Sequence, residues 1–143
     1  MKNEPFVIER TFNAPVERVW KAITDKDQMK QWYFDLNSFR LELGFEFSFT
    51  GKGSAGEDYV HLCKITEIQA GRKLAYSWQY KDYPGYSVVT FELFPEPEGQ
   101  TRLRLTHEGL ETFPGDSKDF KRESFMMGWT ELIGKNLKEF VND

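Results

Sequence analysis

Two histidines, His61 and His107, are the only ones in this sequence, and histidine is the side chain that most readily exchanges protons near neutral pH. Each sits in a stretch where apolar and polar residues alternate, so each is read as a strand residue. His61 shares parity with Tyr59, Cys63 and Ile65, and His107 with Leu103 and Leu105. If both parities face inward, two imidazoles enter an apolar interior, where they would orient a polar ligand or supply general acid–base chemistry. The alternative is a hydrogen-bonded strand histidine at a rim. Arg10 shares a face with Phe6, Ile8 and Phe12. A charge among apolar neighbours must be paired or reach water, so Arg10 is either half of an ion pair or an anchor for a ligand anion. Cys63 is the single cysteine and reads as a buried inert thiol rather than a nucleophile. The spacing shows no metal-binding motif, no Gly-x-Ser-x-Gly and no phosphate-cradling loop. Gly51-Lys-Gly-Ser-Ala-Gly56 is glycine-rich but lies between strands, and reads as a mobile hairpin at a cavity mouth. No catalytic residue, metal or cofactor is expected.

Composition bounds the rest. At 143 residues the chain is one domain's worth, long enough to bury a real core. The net charge of −4 argues against a nucleic-acid partner, because phosphate binding needs clustered Lys and Arg. No apolar run is long enough to span a membrane, and the N-terminus lacks the pattern of a secretory signal. A lone cysteine excludes an internal disulfide and fits a reducing compartment, so a cytoplasmic location is expected. The 13 Phe, 6 Tyr and 4 Trp make 16% of the chain aromatic. Aromatics bury a large area each; here they either fill a thick core or line a cavity.

The elements that must position these groups follow from period. Phe6–Phe12 alternates and reads as a strand. Asn13-Ala-Pro15 then caps a short helix carrying Val16, Val19, Trp20 and Ile23 on one stripe. A second short helix, capped by Asp27, carries Met29, Trp32 and Tyr33. From residue 36 to 108 the period is two, with turns at 42–44, 51–56, 70–72, 83–85 and 95–99. The last turn is placed at Pro95 because proline cannot donate within a central ladder. A long helix is expected from about Ser117 to Val141, with Asp116 as its cap and Phe125, Met126, Trp129, Leu132, Ile133, Leu137 and Phe140 on one face. Gly128 and Gly134 inside it suggest close approach of the helix backbone to the sheet. The order is α+β, with the C-terminal helix as the only element long enough to cover the sheet's apolar face.

The stretches Glu9-Arg-Thr-Phe-Asn-Ala-Pro15, Val19-Trp20, Gln31-Trp32, Lys73-Leu-Ala-Tyr-Ser-Trp78, Thr101-Arg-Leu-Arg-Leu-Thr-His107 with Gly109, and Gly128-Trp129 occur in an order that resembles one family. They look like the helix-grip fold of the START and birch-pollen-allergen superfamily, and within it the domain of the heat-shock-protein-90 ATPase activators. The family's usual Pro-Gly-Gly turn is replaced here by Glu42-Leu43-Gly44. The resemblance implies a single domain over residues 1–143. It also implies a curved antiparallel sheet of about six or seven strands, two short helices after the first strand, and a ligand cavity between the concave face and the long C-terminal helix. The ligand-binding residues expected on that basis are Trp32, Phe47, Phe49, His61, Tyr76, Trp78, Phe91, Leu105, His107, Phe125, Met126, Trp129 and Ile133. The expected function is binding of a small hydrophobic molecule or lipid. Two alternatives stay open: a cyclase- or hydrolase-type enzyme on the same scaffold, and a chaperone-partnering interaction module.

Overall fold

The computed structural model describes residues 4–53, 55–114 and 118–142. Strand β1 (Phe6–Phe12) leads into helices α1 (Val16–Thr24) and α2 (Lys26–Trp32). Strands β2 (Glu46–Lys52), β3 (Asp58–Gln69), β4 (Lys73–Tyr80), β5 (Ser87–Glu96) and β6 (Gln100–Glu108) follow. All pairings are antiparallel, and the sheet has six strands in the order β1-β6-β5-β4-β3-β2. The C-terminal helical stretch consists of α3 (Arg122–Glu131), a π-helical turn (Leu132–Leu137) and α4 (Lys138–Val141). Spanning residues 122–141, it is about 30 Å long at 1.5 Å per residue.

Alternation does what the sequence implies. The side chains of Phe47, Phe49, Tyr59, His61, Cys63, Tyr76, Trp78, Val89, Phe91, Leu103, Leu105 and His107 are all buried. Ladder register aligns them across the sheet: Phe49 opposes His61, which opposes Tyr80, while Val89 opposes His107. Phe125, Trp129, Ile133 and Leu137 of the C-terminal stretch are buried as well, as the core-facing stripe of that helix. On the other face of β1, β5 and β6 the charges pair with one another. The Arg104 Nε lies 2.6 Å from Glu9 and the Arg102 Nε 3.0 Å from Glu96, contacts that add little at an exposed surface.

Several local expectations are corrected. Helix α1 starts after Pro15, which makes no side-chain cap bond, and Asn13 is not its cap. The cap of α2 is Asp25, whose carboxylate accepts from the Gln28 N–H; Asp27 sits in the first turn instead. Pro95 lies inside β5 opposite Thr101. Pairing with β4 ends at Glu92, so Pro95 is beyond the stretch where both sides of the strand must be bonded. The last helix begins at Arg122, not near Ser117, and Lys118–Phe120 is a separate 3₁₀ turn; the expected cap Asp116 lies outside the described residues.

Neither helix glycine meets the sheet backbone. A Cβ at Gly128 would touch nothing within 4 Å, and one at Gly134 would sit 3.3 Å from the Arg10 Nε. That space explains Arg10. Its stem leaves the apolar face of the edge strand past Gly134, and its guanidinium donates to the Glu9 carbonyl at 2.7 Å in an exposed position. Among the described residues it forms no ion pair, so it reaches water rather than a carboxylate. At the far end, Arg18 of α1 donates to the carbonyls of Val141 and Phe140, both at 2.8 Å, which satisfies orphan carbonyls at the end of α4.

Candidate functional site

The interior between sheet and C-terminal helix is built from rings. Phe49 stacks on His61 with centroids 4.4 Å apart, and His61 meets Trp78 edge-on at 4.9 Å. Trp78 contacts both His107 at 5.4 Å and Trp129 at 5.5 Å. Phe47 meets Tyr76 at 5.0 Å, and Phe91 lies 6.1 Å from Trp129. With Leu105 and Ile133 these residues are buried, so much of the expected ligand-lining set forms a close-packed core. Trp32 packs on Tyr33 and donates its indole N–H to the Ala22 carbonyl at 2.8 Å, tying α2 to α1. Met126 is corrected: at 44% exposed it lies on the outer face of α3 beside Met127, which is 71% exposed. The stripe through Phe125, Trp129 and Ile133 faces the sheet, and position 126, one residue on, is rotated about 100° away.

His107 is held by a directional chain. An indole N–H can only donate, and that of Trp129 points at His107 Nδ1 at 3.0 Å. The imidazole proton therefore sits on Nε2, which donates to Ser87 Oγ at 2.8 Å. The Ser87 hydroxyl in turn donates to the Trp78 carbonyl at 2.8 Å. Both ring nitrogens are spent. Burial, aided by the neighbouring His61, lowers the His107 pKa to about 3, so the neutral ring is the native form at ordinary pH. This is a histidine built into the core rather than at a rim, and it has no free nitrogen for acid–base chemistry.

His61 differs. Its Nδ1 lies 3.1 Å from the Tyr59 carbonyl, which can only accept, so Nδ1 carries the proton in the neutral ring. No hydrogen bond engages Nε2 among the described residues. No fully buried side-chain nitrogen or oxygen lacks a partner there, so Nε2 keeps a small exposed area in a residue only 7% exposed. Burial is the dominant influence and lowers the His61 pKa to about 4, against the opposing pull of the Tyr59 and Phe49 carbonyls. Gly51 makes room for the ring: a Cβ there would meet His61 Cε1 at 2.9 Å.

His61 lines a half-open pocket of about 240 Å³ at the N-terminal end of the C-terminal helical stretch. Phe34, Tyr80 and Phe120 supply aromatic walls, and Asp119 and Ser124 supply polar ones. Tyr59 lines it too, donating its hydroxyl to Asp119 Oδ2 at 2.7 Å. Gly51 and Gly53 of the glycine-rich segment border it, the position expected for a hairpin at a mouth. Of the thirteen residues expected to bind ligand, only His61 lines this pocket. Tyr80 was legible in the alternation of β4. Phe34, Asp119 and Phe120 carried no periodic signal, because they sit in irregular segments brought together by the close of the sheet. Cys63 is buried among the rings, and burial pushes its thiol pKa up, as an inert thiol requires. Among the described residues no cluster of His, Cys, Asp or Glu is arranged to hold a metal, and no helix is long and apolar enough to cross a membrane.

Comparison with known proteins agrees with this architecture. Protein CV1439 from Chromobacterium violaceum has a crystal structure that superposes with a TM-score of 0.83 at 22% identity, covering 100% of this chain and 99% of that one. Protein MLL2253 from Mesorhizobium loti matches at 26% identity and a TM-score of 0.73 over 96% of each chain. CalU16 from Micromonospora echinospora matches at 26% identity and the same TM-score, over 96% of this chain and 75% of its own. No curated protein matches. The model of one family, described as activator of Hsp90 ATPase homolog 1-like protein, matches residues 13–142. With its six-stranded antiparallel sheet gripped by a C-terminal helix, the chain belongs to that family.

Proposed function

We propose that the protein binds a small hydrophobic or aromatic molecule between the sheet and the C-terminal helical stretch, at the end where His61 opens. The observation that carries this is the aromatic pocket of about 240 Å³, lined by His61, whose Nε2 makes no hydrogen bond among the described residues. Apolar walls with one or two polar groups are the usual make-up of a ligand site. The rest of the sheet–helix interface is filled by Tyr76, Phe91, Trp129 and Ile133, so a larger lipid would need that core to part. The test is native mass spectrometry of gently purified protein against the same sample denatured, followed by NMR titration with single-ring aromatic fragments. Shifts confined to Phe34, His61, Tyr80 and Phe120 are expected; shifts only elsewhere, or none, overturn the reading.

The interaction-module reading keeps one supporting observation. Met126 and Met127 project beside Arg10 in a surface groove of about 620 Å³, away from the pocket. A pull-down that recovers no chaperone removes it. The enzyme reading loses His107, whose nitrogens are both engaged.

A further inference from the structure

We propose that the His61 pocket is specific for a neutral, single-ring ligand bearing a hydroxyl group, a phenol or a ring alcohol, whose one hydroxyl bridges His61 Nε2 and the Tyr80 hydroxyl. This rests on the ligand-binding reading above and adds the ligand's class to it. The argument is an inventory of donors and acceptors. Tyr80 accepts the indole N–H of Trp78 at 2.9 Å, and its own O–H has no acceptor among the described residues. His61 uses Nδ1 on the Tyr59 carbonyl, and its Nε2 makes no hydrogen bond among the described residues, which leaves it as an unused acceptor. Both residues are only 7% exposed, both line the same pocket, and their rings lie 4.7 Å apart. The pocket is thus lined by one residue with an unspent donor and one with an unspent acceptor, on neighbouring rings that do not hydrogen-bond to each other.

A hydroxyl is the smallest group that answers both, giving its proton to Nε2 and accepting from Tyr80 with its oxygen. An ether or a carbonyl answers only Tyr80, and a hydrocarbon answers neither. A carboxylate has no proton for Nε2 and would meet the Asp119 carboxylate in the pocket wall, while Lys52, which also lines the pocket, is already paired with Asp58. Size sets the ring count. A dry cavity of about 150 Å³ takes benzene, so 240 Å³ takes one substituted ring.

The test compares phenol, anisole and toluene, nearly equal in size, by NMR titration of the intact protein with Kd measured for each. Phenol is expected to bind about tenfold tighter than either of the others, the order that net hydrogen bonds of this kind give. That preference should shrink in Tyr80→Phe and in His61→Phe, while toluene affinity holds. If the three bind alike at the pocket, the ligand-binding reading stands and the hydroxyl proposal is overturned. Should none shift the pocket resonances up to tens of millimolar, the ligand-binding reading fails and takes the proposal with it. Phenol bound outside the pocket also overturns the proposal. Because the three probes are compared on the unmodified chain, the result does not depend on the variants folding.

Discussion

Replacing Ser87 with alanine removes one oxygen from the core and strands a proton. In the native protein that oxygen accepts from His107 Nε2 and donates to the Trp78 carbonyl, both at 2.8 Å. Without it, the Nε2 proton faces a methyl group. Moving the proton to Nδ1 gives no escape, because the Trp129 indole N–H already points there at 3.0 Å. Either tautomer leaves at least one buried N–H unspent, and the Trp78 carbonyl also loses its hydroxyl donor. A buried donor without a partner costs about 1–3 kcal/mol, and Ser87 itself is fully buried, so no water relieves it. For a domain of this size that corresponds to a fall in Tm of roughly 3–12 °C. The assay is urea denaturation of wild type and Ser87→Ala at pH 7.5, with ring ¹⁵N shifts to report the His107 tautomer. Ser48→Ala, on the opposite face of β2, should stay within about 0.5 kcal/mol as a surface-like control. A loss below about 0.5 kcal/mol for Ser87→Ala, or a wild-type ring protonated at Nδ1, would refute the chain of bonds.

Acid should weaken the fold in a window set by the histidines. Both have pKa values lowered below the ordinary 6.5, to about 4 for His61 and about 3 for His107, so the unfolded chain binds more protons than the native one between about pH 4 and 6.5. Their contribution is complete above 6.5, falls as pH drops toward the native values, and has a slope approaching about 2.7 kcal/mol per pH unit for the two together. Denaturation curves at pH 7, 6 and 5 measure it, and His61→Phe should roughly halve it. The buried hydroxyls of Tyr33 and Tyr76 share one hydrogen bond of 2.7 Å; removing either one by Phe should cost about 1–3 kcal/mol and removing both less than the sum, as a double-mutant cycle would record. Gly128→Ala should stabilise by up to about 1 kcal/mol, since a Cβ there meets nothing within 4 Å; a loss in thermal denaturation would contradict that. Gly109→Ala should destabilise, because its φ of +89° is left-handed and a Cβ would lie 2.6 Å from the Tyr86 carbonyl.

The strands and their inward faces were legible because burial on one face enforces a period of two. Tyr59, His61, Cys63 and Ile65 are buried while Leu62 and Lys64 point outward. The bulge between Ile65 and Glu67 shifts the register that a strict period would continue. The helix boundaries were less legible. Asp25 rather than Asp27 caps α2, and Lys121 precedes α3 without a side-chain cap, since several residues compete for a cap and packing decides between them. The family's helix-grip architecture was readable from ordered short motifs, each weak alone.

What the sequence determined by itself is therefore the inventory: an aromatic-rich composition, alternating strands, two strand histidines whose inward or rim position stayed open, and a helix to cover the sheet. Only the tertiary structure decided what those groups do. His61 and His107 have the same intrinsic chemistry and matching inward parity, yet one is locked between Trp129 and Ser87 and the other opens on a pocket. The difference comes from residues distant in the chain: Trp129 lies 22 positions from His107 and Ser87 lies 20, while Phe34 and Phe120 reach the His61 pocket from opposite ends of the chain. A hydrogen bond needs its partner within about 3 Å and correctly oriented. Period specifies which face a residue takes, but not which distant side chain will meet it there.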